Sequence, residues 1–397
     1  MRSFRIGSMF GIPIKLDLTF LLVLPLFGWL IGSQVGQWAG ILNQFMGTQL
    51  DAAALTAGAM PWILGMAAAL GLFGGVVLHE LGHSLVAMRF GFPIDSITLW
   101  ILGGIAQLSD QPEDWRQELL IAIAGPIVSV ILGVAFYLVL VVLPATPDFL
   151  GFLLGYLALV NVSLAIFNML PGFPMDGGRV LRALLARNRP FARATQLAAE
   201  VGKAVAIFLG LFGLLGGNLI LIGIAFFIYI GASGESQRTV LNAVFQGVQV
   251  RDIMTPAAEV ETIGEEATVA DLIEEMFRER HTGYPVERDG TIVGMVTLDD
   301  AREVQPVERE AFTVADIMST ELHTIPEYAE ATEALDTMQS EKIGRLLVVD
   351  PTGEMSGLIS RTDLMTAFNI IKSSGPRGEP PDPEELREAR ERTSDVH

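Results

Sequence analysis

Val76-Val77-Leu78-His79-Glu80-Leu81-Gly82-His83-Ser84-Leu85 sets an H-E-x-x-H pattern inside one of the most apolar runs of the chain, from Trp62 to Phe90. Residues four apart on a helix share a face, with Cβ atoms about 5–6 Å apart. Both imidazoles can therefore reach one tetrahedral Zn2+, and the intervening Glu80 is placed to deprotonate a bound water. In a water-soluble helix this pattern points to zinc-dependent peptide hydrolysis; here the same groups lie at membrane depth. A carboxylate at that depth costs roughly 2.5–3.5 kcal/mol on insertion scales, and residues carrying that cost usually face a bundle interior and serve a function. The alternative, a pair of helix-packing histidines with a glutamate partner, has that cost against it.

Hydrophobic residues make up 51% of the 397, with a mean hydropathy of +0.46, which places the chain in the membrane class with room for a bundle of spans and a soluble domain. The charge divides sharply along the chain. Residues 1–240 hold 12 Lys+Arg and 12 Asp+Glu, whereas the rest hold 14 and 33, so the whole net charge of −19 belongs to the C-terminal part. An acidic domain with few lysines argues against nucleic acid as a partner. There is no cysteine, so disulfides and thiolate-held metal are excluded and a metal site must use His, Asp or Glu.

Apolar runs fall at about Leu18 to Gly36, Trp62 to Met88, Leu119 to Leu143, Leu150 to Leu170 and Ala204 to Ile230. Gly216-Gly217-Asn218 interrupts the last, which is read as two short spans and brings the expected total to six. The first run follows Arg2, Arg5 and Lys15 and has no small-residue cleavage site, so it is expected as a retained anchor. Arg179, Arg182, Arg187, Arg189 and Arg193 crowd the connection after the fourth span, while the Val35 to Met60 loop carries no Lys or Arg. The excess of positive charge places the crowded side in the cytoplasm, together with both termini and the acidic domain.

A catalytic zinc keeps three protein ligands and an open fourth position, so a third ligand is expected elsewhere in the membrane. Asp176 fits, within Asn168-Met169-Leu170-Pro171-Gly172-Phe173-Pro174-Met175-Asp176-Gly177-Gly178-Arg179 at the cytoplasmic end of the fourth span. Irregular backbone at membrane depth is tolerated where it lines a protein cavity. Taken as a pair, H-E-x-x-H and the later N-x-x-P-x-x-P-x-D-G resemble the site-2 protease family of intramembrane zinc metalloproteases, over about residues 1–235. Gly11-Ile12-Pro13-Ile14, Leu102-Gly103-Gly104-Ile105-Ala106 and Gly125-Pro126 extend the resemblance. It implies one Zn2+ held by His79, His83 and Asp176, Glu80 as general base, and Asn168 as the residue that holds the substrate strand or polarises its carbonyl. Ser96 to Leu108, with Ile97, Leu99, Ile101, Ile105 and Leu108 among small and polar residues, can form extended structure or an ordinary amphipathic connection; the resemblance implies a short sheet beside the active site whose edge receives an unwound substrate by strand addition. A substrate helix satisfies its amides internally, so it must unwind before a peptide bond is exposed to attack, and water must reach the metal through a polar channel.

A second signal is repetition. Val250-Arg251-Asp252-Ile253-Met254 recurs as Val314-Ala315-Asp316-Ile317-Met318, and Gly294-Met295-Val296-Thr297-Leu298-Asp299-Asp300 as Gly357-Leu358-Ile359-Ser360-Arg361-Thr362-Asp363. Each unit reads as a leading segment, a helix (Val269 to Glu279; Ala329 to Ser340), two short strands and a closing helix, too small to bury a core alone. Over about Val248 to Ile371 this resembles a tandem pair of CBS domains. The resemblance implies a cleft for an adenosine nucleotide, with Thr297, Asp300, Ser360, Thr362 and Asp363 at ribose and phosphate and Tyr284-Pro285 at the adenine. A triphosphate would depend on Arg345, Arg361, backbone amides or Mg2+. An empty pair that dimerises or packs below the protease is the alternative. His281 and His323 show no ligand spacing.

The expected fold is thus a multi-span α-helical membrane protein of about six helices with a C-terminal α/β CBS pair. Its divisions are 1–235, a linker 236–247, repeats 248–310 and 311–371, and a disordered or partly helical tail 372–397. The expected function is intramembrane zinc endopeptidase acting on membrane-anchored proteins and gated by a nucleotide. Its rivals are a CBS-regulated ion transporter using the His/Asp cluster and an inactive membrane adaptor. Transport would not require a glutamate between the histidines.

Overall fold

The computed structural model describes residues 3–100, 103–108, 112, 114–143 and 146–373, and the chain divides into two units, Met1–Thr239 and Val240–His397. The first unit opens on strands β1 (Ser3–Met9) and β2 (Ile12–Asp17), joined by a tight turn in which Phe10 and Gly11 take positive φ. Helices α1 (Phe20–Ser33), α2 (Val35–Met46) and the single turn α3 (Ala52–Leu55) follow, and then the 30-residue α4 (Met60–Arg89). Next come β3 (Ile94–Trp100) and β4 (Gly103–Leu108), and the helices α5 (Trp115–Val142), α6 (Asp148–Asn168), α7 (Asp176–Ala186), α8 (Phe191–Leu215) and α9 (Leu219–Phe245).

Five of these helices, α4, α5, α6, α8 and α9, are long and apolar enough to cross a membrane, and α1 with α2 makes a sixth candidate only as a bent pair. The expected first span, Leu18 to Gly36, is therefore not one straight helix. The chain bends by 65° between α1 and α2, where Gln34 leaves helical dihedrals. At 14 residues α1 is about 21 Å long, short of the roughly 30 Å of bilayer hydrocarbon. The last apolar run does divide at Gly216-Gly217-Asn218, but into helices of 25 and 27 residues that reach well beyond the apolar stretch.

Small residues set the helix spacing. A Cβ on Gly65 of α4 would lie 2.6 Å from the Gly32 backbone nitrogen of α1, and one on Gly82 would lie 3.0 Å from the Ala124 carbonyl of α5. With lipid as apolar as leucine, such close backbone approach is what associates membrane helices.

The four strands form one sheet in the order β1-β2-β3-β4, with β2 and β3 parallel and the other pairs antiparallel. Ser96 to Leu108 is thus a hairpin, apart from residues 101 and 102, which lie outside the described residues. Ile12 of β2 and Ile97 of β3 cluster with Leu81 of α4, and Leu99 clusters with Phe73. The sheet therefore covers the face of α4 opposite the one that packs on α5. β4 ends the sheet as an edge strand.

Residues 236–247, expected as a linker, run across the boundary between the two units. They are helical to Phe245, which is buried in the core of the second unit. Helix α10 (Val250–Ile253), β5 (Thr255–Pro256), β6 (Ile263–Gly264), α11 (Val269–Glu279), β7 (Gly283–Arg288), β8 (Thr291–Thr297) and α12 (Leu298–Glu303) make the first repeat. The second has α13 (Val314–Ile317), β9 (Thr324–Pro326), α14 (Ala331–Ser340), β10 (Arg345–Val349), β11 (Met355–Ser360) and α15 (Arg361–Ser373).

Each leading segment serves the other repeat. β5 pairs with β11, giving the order β5-β11-β10-β9, while Ser319 bridges to Met295 of β8 beside the sheet β6-β7-β8. Met254 fills the space where a Cβ on Gly357 would be, 2.8 Å from its sulfur, and Met318 does the same at Gly294, 2.5 Å away. The repeated methionine and glycine are thus one knob and one hole, exchanged between the repeats. The tail from 374 onward lies outside the described residues.

Candidate metal centre

His79 and His83 lie on the face of α4 that meets α5. They are 3% and 5% exposed, and their Nε2 atoms are 3.2 Å apart. Asp176 arrives from the far side of the sequence. α6 stops at Asn168, the Met169–Met175 stretch turns, and α7 starts on Asp176. A Cβ on Gly178 would lie 2.5 Å from the Gly172 carbonyl carbon, so the double glycine lets the Pro-Gly loop fold against the first turn of α7. That packing sets Asp176 Oδ2 at 3.1 Å from His79 Nε2 and 3.2 Å from His83 Nε2.

These three atoms form a nearly equilateral triangle, and the trio is the group among the described residues that could hold a metal ion. Ligands about 2.0–2.1 Å from a tetrahedral Zn2+ stand roughly 3.3 Å from one another, close to the separations observed. The two nitrogens and one oxygen suit zinc.

The other ring nitrogens are both engaged by α5. His83 Nδ1 donates to the Ile121 carbonyl at 2.7 Å, which leaves its Nε2 lone pair for a metal, and His79 Nδ1 meets Ser129 Oγ at 2.8 Å. Between them sits Gly125, where a Cβ would come within 2.7 Å of His79 Nε2 and nearer still to His83. Ile121, Gly125 and Ser129 recur every four residues on one helical face. Ser129 was missed in the sequence, although a hydroxyl one turn beyond Gly125-Pro126 was the available signal.

The Glu80 carboxylate makes no hydrogen bond among the described residues, and its Cγ lies only 2.6 Å from where a Cβ on Gly104 of β4 would be. Asn168 ends α6, half-buried, with no side-chain hydrogen bond among the described residues. The edge strand, the unbonded carboxylate and the triangle of ligand atoms thus belong to one neighbourhood around the C-terminal half of α4.

Of the seven residues expected at a nucleotide, Thr297 and Asp300 line a common cavity. It is about 560 Å3 in volume and lies between the repeats, with Thr282, His323, Lys342 and Arg345 among its other walls. Tyr284 and Pro285 are buried instead; the Tyr284 ring belongs to the first repeat's core, and burial pushes its hydroxyl up to about 12. Ser360 and Asp363 lie outside the cavity walls, and Thr362 is exposed on α15.

The shared hydroxyl-and-acid spacing has a local cause. Asp300 Oδ2 accepts from the backbone nitrogen and hydroxyl of Thr297, and Asp363 Oδ2 does so from Ser360, so each pair is a helix capping box. His323, which showed no ligand spacing, turns out to line the cavity because β9 runs beside β10.

Peptidase family M50 matches residues 67–149 and 145–209, and the CBS domain matches 250–306 and 314–370. Zinc metalloprotease MJ0392 of Methanocaldococcus jannaschii is 34% identical over 371 residues, covering 93% of this chain and 97% of its own. Rip3 of Mycobacterium tuberculosis is 31% identical over 392 residues, covering 94% of each. Among solved structures, the site-2 protease from Methanocaldococcus jannaschii is 37% identical over 59% of this chain and 95% of its own, with a TM-score of 0.41. With a relative one-third identical along almost its entire length, the chain belongs to peptidase family M50, as a multi-span zinc metalloendopeptidase of the site-2 protease type carrying a tandem CBS pair.

Proposed function

We propose that His79, His83 and Asp176 hold one Zn2+ and that Glu80 is the general base for cleavage of peptide bonds within or near the spans of membrane-anchored substrates. The observation that carries this reading is the convergence of three ligand atoms within 3.2 Å from elements nearly a hundred residues apart, beside an uncommitted carboxylate. When bound, Zn2+ supplies Lewis acidity that polarises a peptide carbonyl and lowers the pKa of water to about 7.

Glu80 then takes a proton from water at its carboxylate and returns it to the leaving amine. The open edge of β4 supports substrate entry by strand addition, because an unwound segment there would pair its backbone next to Glu80. Asn168, whose amide makes no side-chain hydrogen bond among the described residues at the end of α6, is assigned to holding that strand. A transport site has less support, since it leaves Glu80 between the histidines without a task.

The CBS cavity is assigned to an adenosine nucleotide, with Arg345 and Lys342 facing phosphate and Thr297 facing ribose. Arg345 is already oriented, its Nη2 donating to Thr282 Oγ1 at 2.8 Å. Binding changes cleavage only through differential affinity for two states of the enzyme, commonly about 5- to 150-fold. The arginines that follow α6 support a cytoplasmic location for both termini and the CBS pair.

Four outcomes are expected. Glu80→Gln should lower cleavage about 10²- to 10⁴-fold while zinc remains bound; retained cleavage would remove Glu80 from the reaction. Ser129→Ala should weaken zinc about 10- to 100-fold in chelator competition, and an unchanged affinity would show that the hydroxyl does not orient His79. A single cysteine at Gly290 should resist an impermeant thiol reagent in intact cells, so labelling from outside would reverse the topology. Calorimetry on the full chain should detect AMP, ADP or ATP, with Arg345→Ala weakening binding and Thr362→Ala leaving it unchanged. Absence of heat with all three would leave the pair as a structural element.

A further inference from the structure

Helix α7 is eleven residues long and carries Asp176 at its start and Arg182 six residues on. Arg182 is only 4% exposed, a burial that arginine seldom reaches unless it is paired. Its Nε donates to Glu118 Oε1 at 2.6 Å, its Nη2 reaches the same oxygen at 2.5 Å, and its Nη1 donates to Glu235 Oε1 at 2.8 Å. The guanidinium is also held between two rings, with Phe173 at 5.0 Å and Phe191 at 4.7 Å from its carbon.

The partners come from elements that matter to the metal centre. Glu118, 3% exposed, stands in the first turn of α5, three residues before Ile121, whose carbonyl holds His83. Phe173 belongs to the turn that delivers Asp176, and Glu235 belongs to α9. α5 therefore does two things: it orients both imidazoles through Ile121 and Ser129, and through Glu118 it grips the helix that brings the carboxylate.

We propose that Arg182 is a positioning residue for the metal centre: its forked pairing with Glu118 and Glu235 fixes α7 against α5 and α9, which holds Asp176 Oδ2 at shared-ion distance from the two imidazoles. The inference rests on Asp176 being the third ligand. A guanidinium suits the task because its planar fork serves two carboxylates at once and stacks on aromatic faces, whereas a lysine offers a single mobile point charge. The cluster is also short of donors. Arg182 serves both carboxylates, and among the described residues Glu118 Oε2 is buried without a hydrogen-bond partner, so little slack remains for α7 to shift without breaking a pairing.

The test is a double-mutant cycle on the full chain in detergent, reading zinc affinity by chelator competition and the visible spectrum of the Co2+-loaded chain. Arg182→Lys, which keeps the charge, should weaken zinc about 10- to 100-fold and move the Co2+ spectrum toward that of Asp176→Ala. In the Asp176→Ala background the same change should cost little more, because the route through Asp176 is already gone. If Arg182→Lys does not fold, Glu118→Gln takes its place in the cycle with the same expectation. Unchanged zinc affinity in a folded Arg182 variant, or losses that simply multiply in the double variant, would overturn the proposal and leave the cluster a structural ion pair. Asp176→Ala with undiminished zinc would instead overturn the ligand reading itself, and this proposal with it.

Discussion

Two imidazoles and a carboxylate meet in surroundings from which water is largely excluded, and a polar group placed there is stable only if another polar group or an ion answers it. That requirement organises the first unit. His79 and His83 each use one nitrogen on α5 and turn the other toward Asp176, so the helices must approach closely enough for 2.7–3.2 Å contacts. Glycine makes the approach possible at the points of contact. Gly125 leaves room for both rings and Gly178 for the loop that carries Asp176. The buried Arg182 answers to the same rule, with two carboxylates and two aromatic faces around it.

The sheet solves a different problem. α4 has one face given to the proposed ligands, and its opposite face would otherwise meet lipid or water without support. Leu81 and Phe73 pack there against Ile97 and Leu99 of β3, so the rotation of α4 is fixed from both sides. Glu80 falls between the two faces, toward β4. The base proposed for hydrolysis and the strand edge proposed to receive substrate are thereby neighbours through the geometry of one helix.

In the second unit the same short spacing, a hydroxyl followed three residues later by an acid, recurs at Thr268/Asp271, Thr297/Asp300, Thr313/Asp316 and Ser360/Asp363. Each caps a helix by satisfying backbone and hydroxyl donors. Of these pairs, Thr297 and Asp300 line the cavity between the repeats. A motif that caps a helix at all four places and lines a cavity at one of them cannot be assigned to a ligand from its letters alone.

The sequence by itself determined the zinc motif on an apolar helix, the proline- and glycine-rich segment bearing Asp176, the break at Gly216-Gly217-Asn218 and the repeat, because each depends on spacing within one segment. The bend after Ser33, the β1–β2 hairpin and the exchange of leading segments between the CBS repeats were decided only by tertiary structure. Each depends on which partner a short element finds, and neither hydropathy nor repeat alignment carries that information. The same holds for Ser129 against His79 and for Arg182 between Glu118 and Glu235, fifty or more residues apart in the chain. Their roles come from a low-dielectric interior that forces distant polar groups together, and only the folded bundle specifies which ones meet.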